Sequence, residues 1–302
     1  MKIMDWDFGF RISFGLSPRC LASAAGRISA SRRAVAQAQR VGFPALAGVF
    51  LIAGPAPSGA AQTPPADAPL SIVKLDPPEK GFFSKCLEFH GIPIKSAAVV
   101  ADEALFAAYD RLNLLLTNLL VHQPLVLSNL LAARVELHII GRDQVTTDLP
   151  EWQHDKGKPL AEYNGLTRDQ RTRGMGGRLT SCGEENLLKL KQDRYFGRDI
   201  CLHEFSHSLR NYGISRDVRR QFDEQYRRSL DKGLWHKSYA GSNPDEFFAE
   251  LTMWFFGTHG DLHMSGPKPE NGPEGLKQYD PDAFSLFDDF YSGRMKVGLR
   301  NP

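Results

Sequence analysis

The sequence predicts an α+β domain in which a small mixed sheet packs on a central helix and a mainly helical lobe follows. Residues 134–140 alternate between polar and apolar side chains, which is typical of a strand. A helix is expected to begin at Asp199, a good N-cap, and to end near Gly213. Beyond residue 214 the pattern is that of helices separated by loops. The strand and the two helical regions together define the fold class.

The other elements follow from hydrophobic spacing and from start and stop signals. Val135, Leu137 and Ile139 line one side of the strand, and the polar residues line the other, so we expect a half-buried strand. Residues 180–190 are a weaker strand candidate, and 141–180 and 258–280 have the composition of loops. Helices are expected over 101–121, 125–133, 215–232, 243–256 and 282–291.

The chain divides into three parts by composition. Residues 1–61 are basic and rich in small residues, and they contain the apolar run 41–53. This pattern predicts a signal peptide, and a retained anchor is less favoured because the run is short for a bilayer. Ser31-Arg32-Arg33 resembles a twin-arginine signal, so both export routes stay open. An exported protein, periplasmic or extracellular, is expected, with a Pro-rich extended segment (62–80) before the domain (81–302).

The net charge of residues 62–302 argues against nucleic acid as a partner. The leader holds seven of the 37 Lys and Arg residues and two of the 35 Asp and Glu residues, which leaves residues 62–302 with a net charge of −3. This balance gives no basic surface for nucleic acid. No stable membrane insertion is expected after leader removal. Cys182 and Cys201 are the preferred disulfide pair among the cysteines after residue 61, and the alternative is that all are small buried residues.

The segment His203-Glu204-Phe205-Ser206-His207 has the H-E-x-x-H pattern. Residues four apart lie on one face of a helix, so both imidazoles can bind one metal ion. Glu204 then lies beside that metal, where a base for a water molecule is needed. The spacing predicts a zinc site with one ion, and the alternative is that both histidines are polar residues of a half-buried helix.

Two histidines need a third ligand. Arg210 and Gly213 occupy the positions at which metzincins have Gly and His, so that class is excluded. Glu246 and Glu250 lie one turn apart on an apolar helix and can supply a ligand and its support. A different interpretation makes Glu246 part of a capping box with Asn243 and leaves Glu250 solvated.

The segment from Tyr239 through Glu246-Phe247-Phe248-Ala249-Glu250, together with the His203–Gly213 helix, resembles the gluzincin zinc metallopeptidases. Within them, it is most similar to the catalytic domain of anthrax lethal factor and related peptidases. The resemblance covers residues 199–256. It implies a zincin-like fold with His203, His207 and Glu246 as zinc ligands.

The same resemblance implies the remaining roles. Glu204 would be the general base, Glu250 would support a ligand histidine, and Tyr239 would donate a hydrogen bond to the substrate carbonyl. An ordinary half-buried tyrosine is the alternative for Tyr239, and His236 is a second candidate donor.

Three weaker signals are interpreted without a role in catalysis. Glu184 and Glu185 are candidate anchors for a substrate amine or, as the favoured interpretation, an exposed acidic turn. Residues 175–177, Met-Gly-Gly, are expected to be a flexible loop. His259 and His263 could bind metal, but they lie in a Gly-rich loop and are expected to be solvated.

The function that follows is a zinc peptidase acting on peptides or proteins, with endopeptidase action favoured. One alternative is an amidase for another amide, such as a cell-wall cross-link. A second alternative is a peptidase-like domain that binds a partner without turnover.

Overall fold

A six-stranded mixed sheet forms one layer of the protein in the computed structural model, which describes residues 70–259 and 268–300. The strands, in chain order, are β1 (Val73–Glu79), β2 (Phe83–Phe89), β3 (Ile92–Ser96), β4 (Glu136–Ile140), β5 (Gly174–Met175) and β6 (Leu179–Gly183). Their order across the sheet is β1-β2-β3-β4-β6-β5. β3, β4 and β6 are parallel to one another, and the other pairs are antiparallel. The predicted leader lies outside the described residues.

Helices cover one face of the sheet and build the C-terminal part of the domain. They are α1 (Asp102–His122), α2 (Leu125–Ala132), α3 (Arg168–Arg171), α4 (Glu184–Leu187), α5 (Ile200–Ser208), α6 (Arg216–Asp231), α7 (Pro244–Phe255), α8 (Pro273–Tyr279) and α9 (Pro281–Tyr291). α5 continues into a π-helical turn, Leu209–Gly213. Such turns are frequent at functional sites. The mixture of one sheet and several helices agrees with the predicted α+β class.

The main core lies between the sheet and the helices. Leu137 and Ile139 of β4 meet the buried leucines of α1 and Phe205 of α5 there. α1 is long and apolar enough to cross a membrane by length and composition. Core helices meet the same criteria, and α1 buries seven of its residues in this domain. Packing in the core therefore accounts for its apolar composition.

The other face of β4 is buried as well, which corrects the expectation of a half-buried strand. His138 and Glu136 project from this face, and Lys95 of β3 reaches Glu136 at 2.7 Å and Glu79 at 3.0 Å. His138 lies between Glu136 and Glu151, with hydrogen bonds to both. Burial opposes its positive charge, but the two carboxylates outweigh burial and raise the pKa of His138.

Three strands, β1 to β3, lie where no strand is predicted. β1 lies in the segment expected to be Pro-rich and extended, and it pairs with β2 in the same sheet. His90 and Gly91 join β2 to β3 as a two-residue turn with positive φ at both positions. Asn-Gly is the usual signal for such a turn, so histidine in the first position conceals it. α8 likewise falls within the loop expected over 258–280.

The cysteine pair does not form the expected disulfide. Cys182 of β6 and Cys201 of α5 are both free, and both are fully buried in the core. Burial raises the pKa of the Cys182 thiol well above its usual range. The alternative interpretation, small buried residues, describes these two cysteines as they stand in the structure.

Candidate metal centre

Helix α5 presents two histidines on one face. The Asp199 carboxylate caps it by accepting a hydrogen bond from the Leu202 amide at 3.0 Å, and it also pairs with Arg111 of α1. Because Phe205 packs into the core, the helix is held with His203 and His207 turned toward α7. The Nε2 atoms of the two rings lie 3.3 Å apart.

Helix α7 brings Glu246 to the same point. Asn243 caps the helix through its side-chain oxygen, which accepts from the Glu246 amide at 2.9 Å. The Glu246 carboxylate points instead at the histidines. Its Oε2 lies 3.2 Å from Nε2 of His203 and 3.5 Å from Nε2 of His207. The backbone of Glu246 therefore serves the cap while its side chain meets both imidazoles.

These three atoms fit one zinc ion. Zinc bonds of about 2.0–2.1 Å to nitrogen and oxygen place tetrahedral ligands about 3.3–3.4 Å apart. The triangle of Nε2, Nε2 and Oε2 has sides of 3.2, 3.3 and 3.5 Å. The Glu246 Oε2 atom is buried and lacks a hydrogen-bond partner among the described residues. Such an oxygen is costly unless a cation meets it.

The charges of the site are strongly coupled. Burial disfavours a charged His203, but Glu246 and Glu250 outweigh burial and raise the pKa of His203 to about 10. Burial would likewise raise the pKa of Glu246, yet the two histidines hold it well below its usual range. A cluster that stabilises a proton this strongly would also stabilise a divalent cation in the same place.

Glu204 lies beside the triangle. Its carboxylate and the ligand atoms of His203 and His207 are all within 4.8 Å of one another. Burial raises the pKa of Glu204, against the lowering influence of the two histidines. A carboxylate of raised pKa close to a metal is suited to accept and return a proton.

The edge strand β5 and the turn after it pack directly on these side chains. A Cβ at Gly174 would lie 2.9 Å from Cγ of Glu204, and a Cβ at Gly176 would lie 2.7 Å from Cβ of His207. Ser208 holds the turn by donating to the Gly177 carbonyl at 2.6 Å. Residues 175–177, expected to be a flexible loop, are thus part of the wall of the site, because glycine alone leaves room for α5.

Tyr239 lies over His203. Its ring stacks on the imidazole with centroids 6.1 Å apart and planes inclined by 23°. The side chain is 44% exposed, and its hydroxyl forms no hydrogen bond within residues 70–259 and 268–300. Burial of the hydroxyl raises its pKa, and the charges of Glu246 and Glu204 raise the pKa of Tyr239 further. The phenol is therefore a neutral donor beside His203, one of the candidate metal ligands. His236, the second candidate donor, bonds instead to the carbonyl of Leu230.

Glu250 contacts His203 on the side away from Glu246, and two residues to which the sequence gives no role in the site, Arg198 and His259, contact Glu250. Its Oε1 lies 3.1 Å from Nδ1 of His203 and pairs with Arg198, and its Oε2 lies 2.6 Å from Nε2 of His259. His259 is 4% exposed and stacks on Trp254 at 3.4 Å. The expectation that His259 is solvated is wrong, because the ring packs on Trp254 and bonds to Glu250 of α7. His263 lies outside the described residues.

Glu184 and Glu185 take no part in this centre, and both interpretations of them fail. Glu184 is buried and accepts from the backbone amides of Ala101 and Arg142. Glu185 is buried and bonded to Arg173. These contacts fix the end of β6 and are neither an exposed turn nor a free anchor.

Comparisons with known proteins give little beyond this geometry. No protein-family model matches the chain, and no curated protein matches it. Among solved structures, the chain is similar to the PRO-PRO endopeptidase PPEP-2 from Paenibacillus alvei, with 18% identity and a TM-score of 0.44 over 65% of this chain and 92% of that chain. A similarity at this level assigns neither a family nor an activity.

Proposed function

We propose that this protein is a zinc-dependent peptidase that acts as an endopeptidase. The observation that carries the proposal is the triangle of His203, His207 and Glu246, with Glu204 and Tyr239 beside it. Two histidines and a glutamate are the ligand set of catalytic zinc in metallopeptidases. Zinc at this position would act as a Lewis acid toward a carbonyl and make water more acidic.

The chain's own residues account for the proton transfers. Glu204 accepts a proton from the water that attacks the amide carbonyl carbon, and its raised pKa suits it to hold that proton. As the C–N bond breaks, Glu204 delivers the proton to the departing nitrogen. One water and one amide thus become a carboxylic acid and an amine.

Tyr239 and Glu250 stabilise this reaction from two sides. The Tyr239 hydroxyl, neutral and without a partner among the described residues, donates to the oxygen on which negative charge develops. Glu250 orients His203 through its Nδ1, which leaves Nε2 for the metal. Arg198 and His259 in turn hold Glu250.

A peptide backbone has a place to bind at β5. This strand pairs with β6 on one side and has no described strand on the other. An edge strand offers unpaired amides and carbonyls to an extended peptide. Because the segment through Gly174 and Gly176 touches Glu204 and His207, a peptide paired there would run past the catalytic groups.

The gluzincin type, and with it the resemblance to anthrax lethal factor, belongs to the same proposal. It is supported by Glu246, which lies four residues before Glu250 on α7 and is directed at both histidines. Export to the periplasm or cell exterior is also proposed, supported by the composition of residues 1–61.

The test is a diverse peptide library incubated with the zinc-loaded full chain and read by mass spectrometry. The Glu204→Gln variant, which keeps the size of the side chain and loses the base, is the control. New internal termini that appear with the wild type and not with this variant support the proposal. If folded, zinc-loaded protein yields no new termini, the peptidase assignment is wrong, and an amidase or a binding domain takes its place.

A further inference from the structure

A buried arginine lies one turn beyond the two histidines of the site. Arg210 stands in the π-helical turn that continues α5, three residues after His207. Residues three or four apart share a face of a helix, so Arg210 projects on the side of α5 that carries the imidazoles. Its side chain is only 4% exposed. An arginine is seldom buried to this extent unless other groups meet its charge.

Two aspartates from two other helices meet this guanidinium. Nη2 of Arg210 donates to Oδ1 of Asp223 in α6. Nη1 lies 2.9 Å from Oδ1 of Asp245 in α7. This Asp245 oxygen is buried and has no hydrogen-bond partner among the described residues, so the ion pair with Arg210 compensates its charge. Arg210 therefore joins the end of α5 to both α6 and α7.

The contact with Asp245 relates Arg210 to the candidate ligand on α7. Asp245 is the residue directly before Glu246 in the first turn of that helix. The Oε2 atom of Glu246 lies 3.2 and 3.5 Å from the Nε2 atoms of His203 and His207. Within residues 70–259 and 268–300, the pair of Arg210 and Asp245 is the one ion pair that joins α5 or its continuation to α7 without including either histidine. A shift of this first turn relative to α5 would move Glu246 away from the imidazoles.

Apolar packing holds α7 in a different way. Phe248 packs edge to face on Phe222 of α6 and at a tilt on Phe287 of α9. Such contacts stabilise the helix in the core, but the hydrophobic effect is not directional. A planar guanidinium held between two carboxylates does set a direction. Arg210 is therefore suited to fix where the first turn of α7 lies along α5.

We propose that Arg210 is a positioning residue that acts through Asp245 to hold the Glu246 carboxylate at the two histidines. The inference rests on the zinc centre of the proposed function and adds to it a residue that contacts none of the three candidate ligands directly. Bond lengths at a zinc site are held within about 0.2 Å, so a small displacement of Glu246 is enough to weaken zinc binding.

Three variants of the full chain separate positioning from charge and from ordinary stabilisation. Arg210→Met removes a positive charge near the metal, so charge alone would tighten zinc binding, whereas loss of positioning would weaken it. Asp245→Asn breaks the same ion pair from the other side. Asp223→Asn is the matched control, because it removes the other partner of the guanidinium and Asp223 adjoins no candidate ligand.

Each variant is measured in three ways. Zinc affinity is determined by competition with a chromophoric chelator. The visible spectrum of the cobalt-substituted protein reports the geometry of the ligands, and the Tm of the zinc-free protein reports the stability of the fold.

The expected result is that Arg210→Met and Asp245→Asn each weaken zinc binding about tenfold, the lower end of the cost of losing a group that supports a ligand. Both should change the cobalt spectrum, and the double variant should bind zinc no more weakly than the single ones, because each already breaks the same pair. Asp223→Asn should keep the zinc affinity and the spectrum of the wild type.

The inference is wrong if Arg210→Met binds zinc as tightly as the wild type or more tightly, or if Asp223→Asn weakens binding equally. It is also wrong if the variants lower Tm and leave the affinity and the spectrum unaltered. Should Arg210→Met not fold, Asp245→Asn decides, because its side chain is 49% exposed and charge alone would leave the cobalt spectrum unchanged. Folded wild type that binds no zinc overturns the centre and this inference together. Zinc binding in the expected order, without cleavage of any peptide, overturns the peptidase assignment alone.

Discussion

Substitution of Gly176 by alanine is the most direct perturbation of the metal centre that leaves every ligand in place. The new Cβ would lie 2.7, 2.8 and 2.9 Å from three atoms of the His207 side chain, including its Cβ. Carbon atoms in contact are normally about 3.5–4.0 Å apart, so the overlap is about 1 Å. The Cβ of His207 is fixed by the backbone of α5, and therefore the turn or the helix must move.

The expected magnitude follows from this overlap. Excess volume in a packed site costs about 1–3 kcal/mol. If the strain is relieved by moving His207 out of the ligand triangle, zinc affinity falls about five- to 150-fold. Gly174→Ala presses instead on Ile200 and on Cγ of Glu204, which is not one of the proposed ligands. This second variant should keep its zinc affinity and lose turnover.

The assay is zinc affinity by competition with a chromophoric chelator, measured beside the rate of peptide cleavage. Gly298→Ala is the matched control, because a Cβ there has its nearest contact at 3.9 Å and the backbone does not require glycine. A Gly176→Ala protein that binds zinc within twofold of the wild type would refute the argument that the turn fixes His207.

Three further predictions follow from the site and the sheet. Tyr239→Phe should lower kcat about 10²- to 10³-fold, as for other oxyanion donors, with unchanged zinc content by mass spectrometry. A kcat equal to that of the wild type would show that the hydroxyl takes no part in catalysis. Glu250→Gln should weaken zinc binding about 10- to 100-fold in the chelator assay, because a neutral amide replaces the carboxylate that supports His203; unaltered affinity would contradict that role. Because the pKa of His138 is raised in the folded protein, its positive charge contributes fully to stability at pH values below the ordinary pKa of 6.5. That contribution is lost as the pH rises through the pKa of the folded state. The difference in Tm between zinc-loaded wild type and His138→Gln should therefore shrink from pH 6 to pH 9, and a constant difference would contradict it.

The parts of the site that could be predicted are local in sequence. His203, Glu204 and His207 lie within one turn of a helix, and their side chains come together by helix geometry alone. Glu246 and Glu250 are one turn apart on α7, so their common face was also evident, and the resemblance to a known family supplied their roles. The structure adds the distances between the histidines of α5 and the glutamates of α7.

The remaining parts depend on tertiary contacts. The sequence around Gly176 does not indicate its role, because the side chain that a Cβ there would overlap belongs to His207, 31 positions further along the chain. Arg198 and His259 reach Glu250 from outside α7, and the Gly-rich sequence after His259 suggests a solvated loop. His138 is buried because Phe83 of β2 and Glu151, from the chain after β4, pack against it, and alternation in a single strand cannot show this.

The central claim is that His203, His207 and Glu246 hold one zinc ion, and it is tested most directly by metal analysis together with zinc X-ray absorption spectroscopy. The account predicts one zinc ion for each chain, nitrogen and oxygen ligands at about 2.0–2.1 Å, and two imidazoles in the coordination shell. Glu246→Gln should change that shell, while Arg227→Gln should not. Zinc bound through sulfur at about 2.3 Å, or no zinc retained by the folded wild type, would contradict the account.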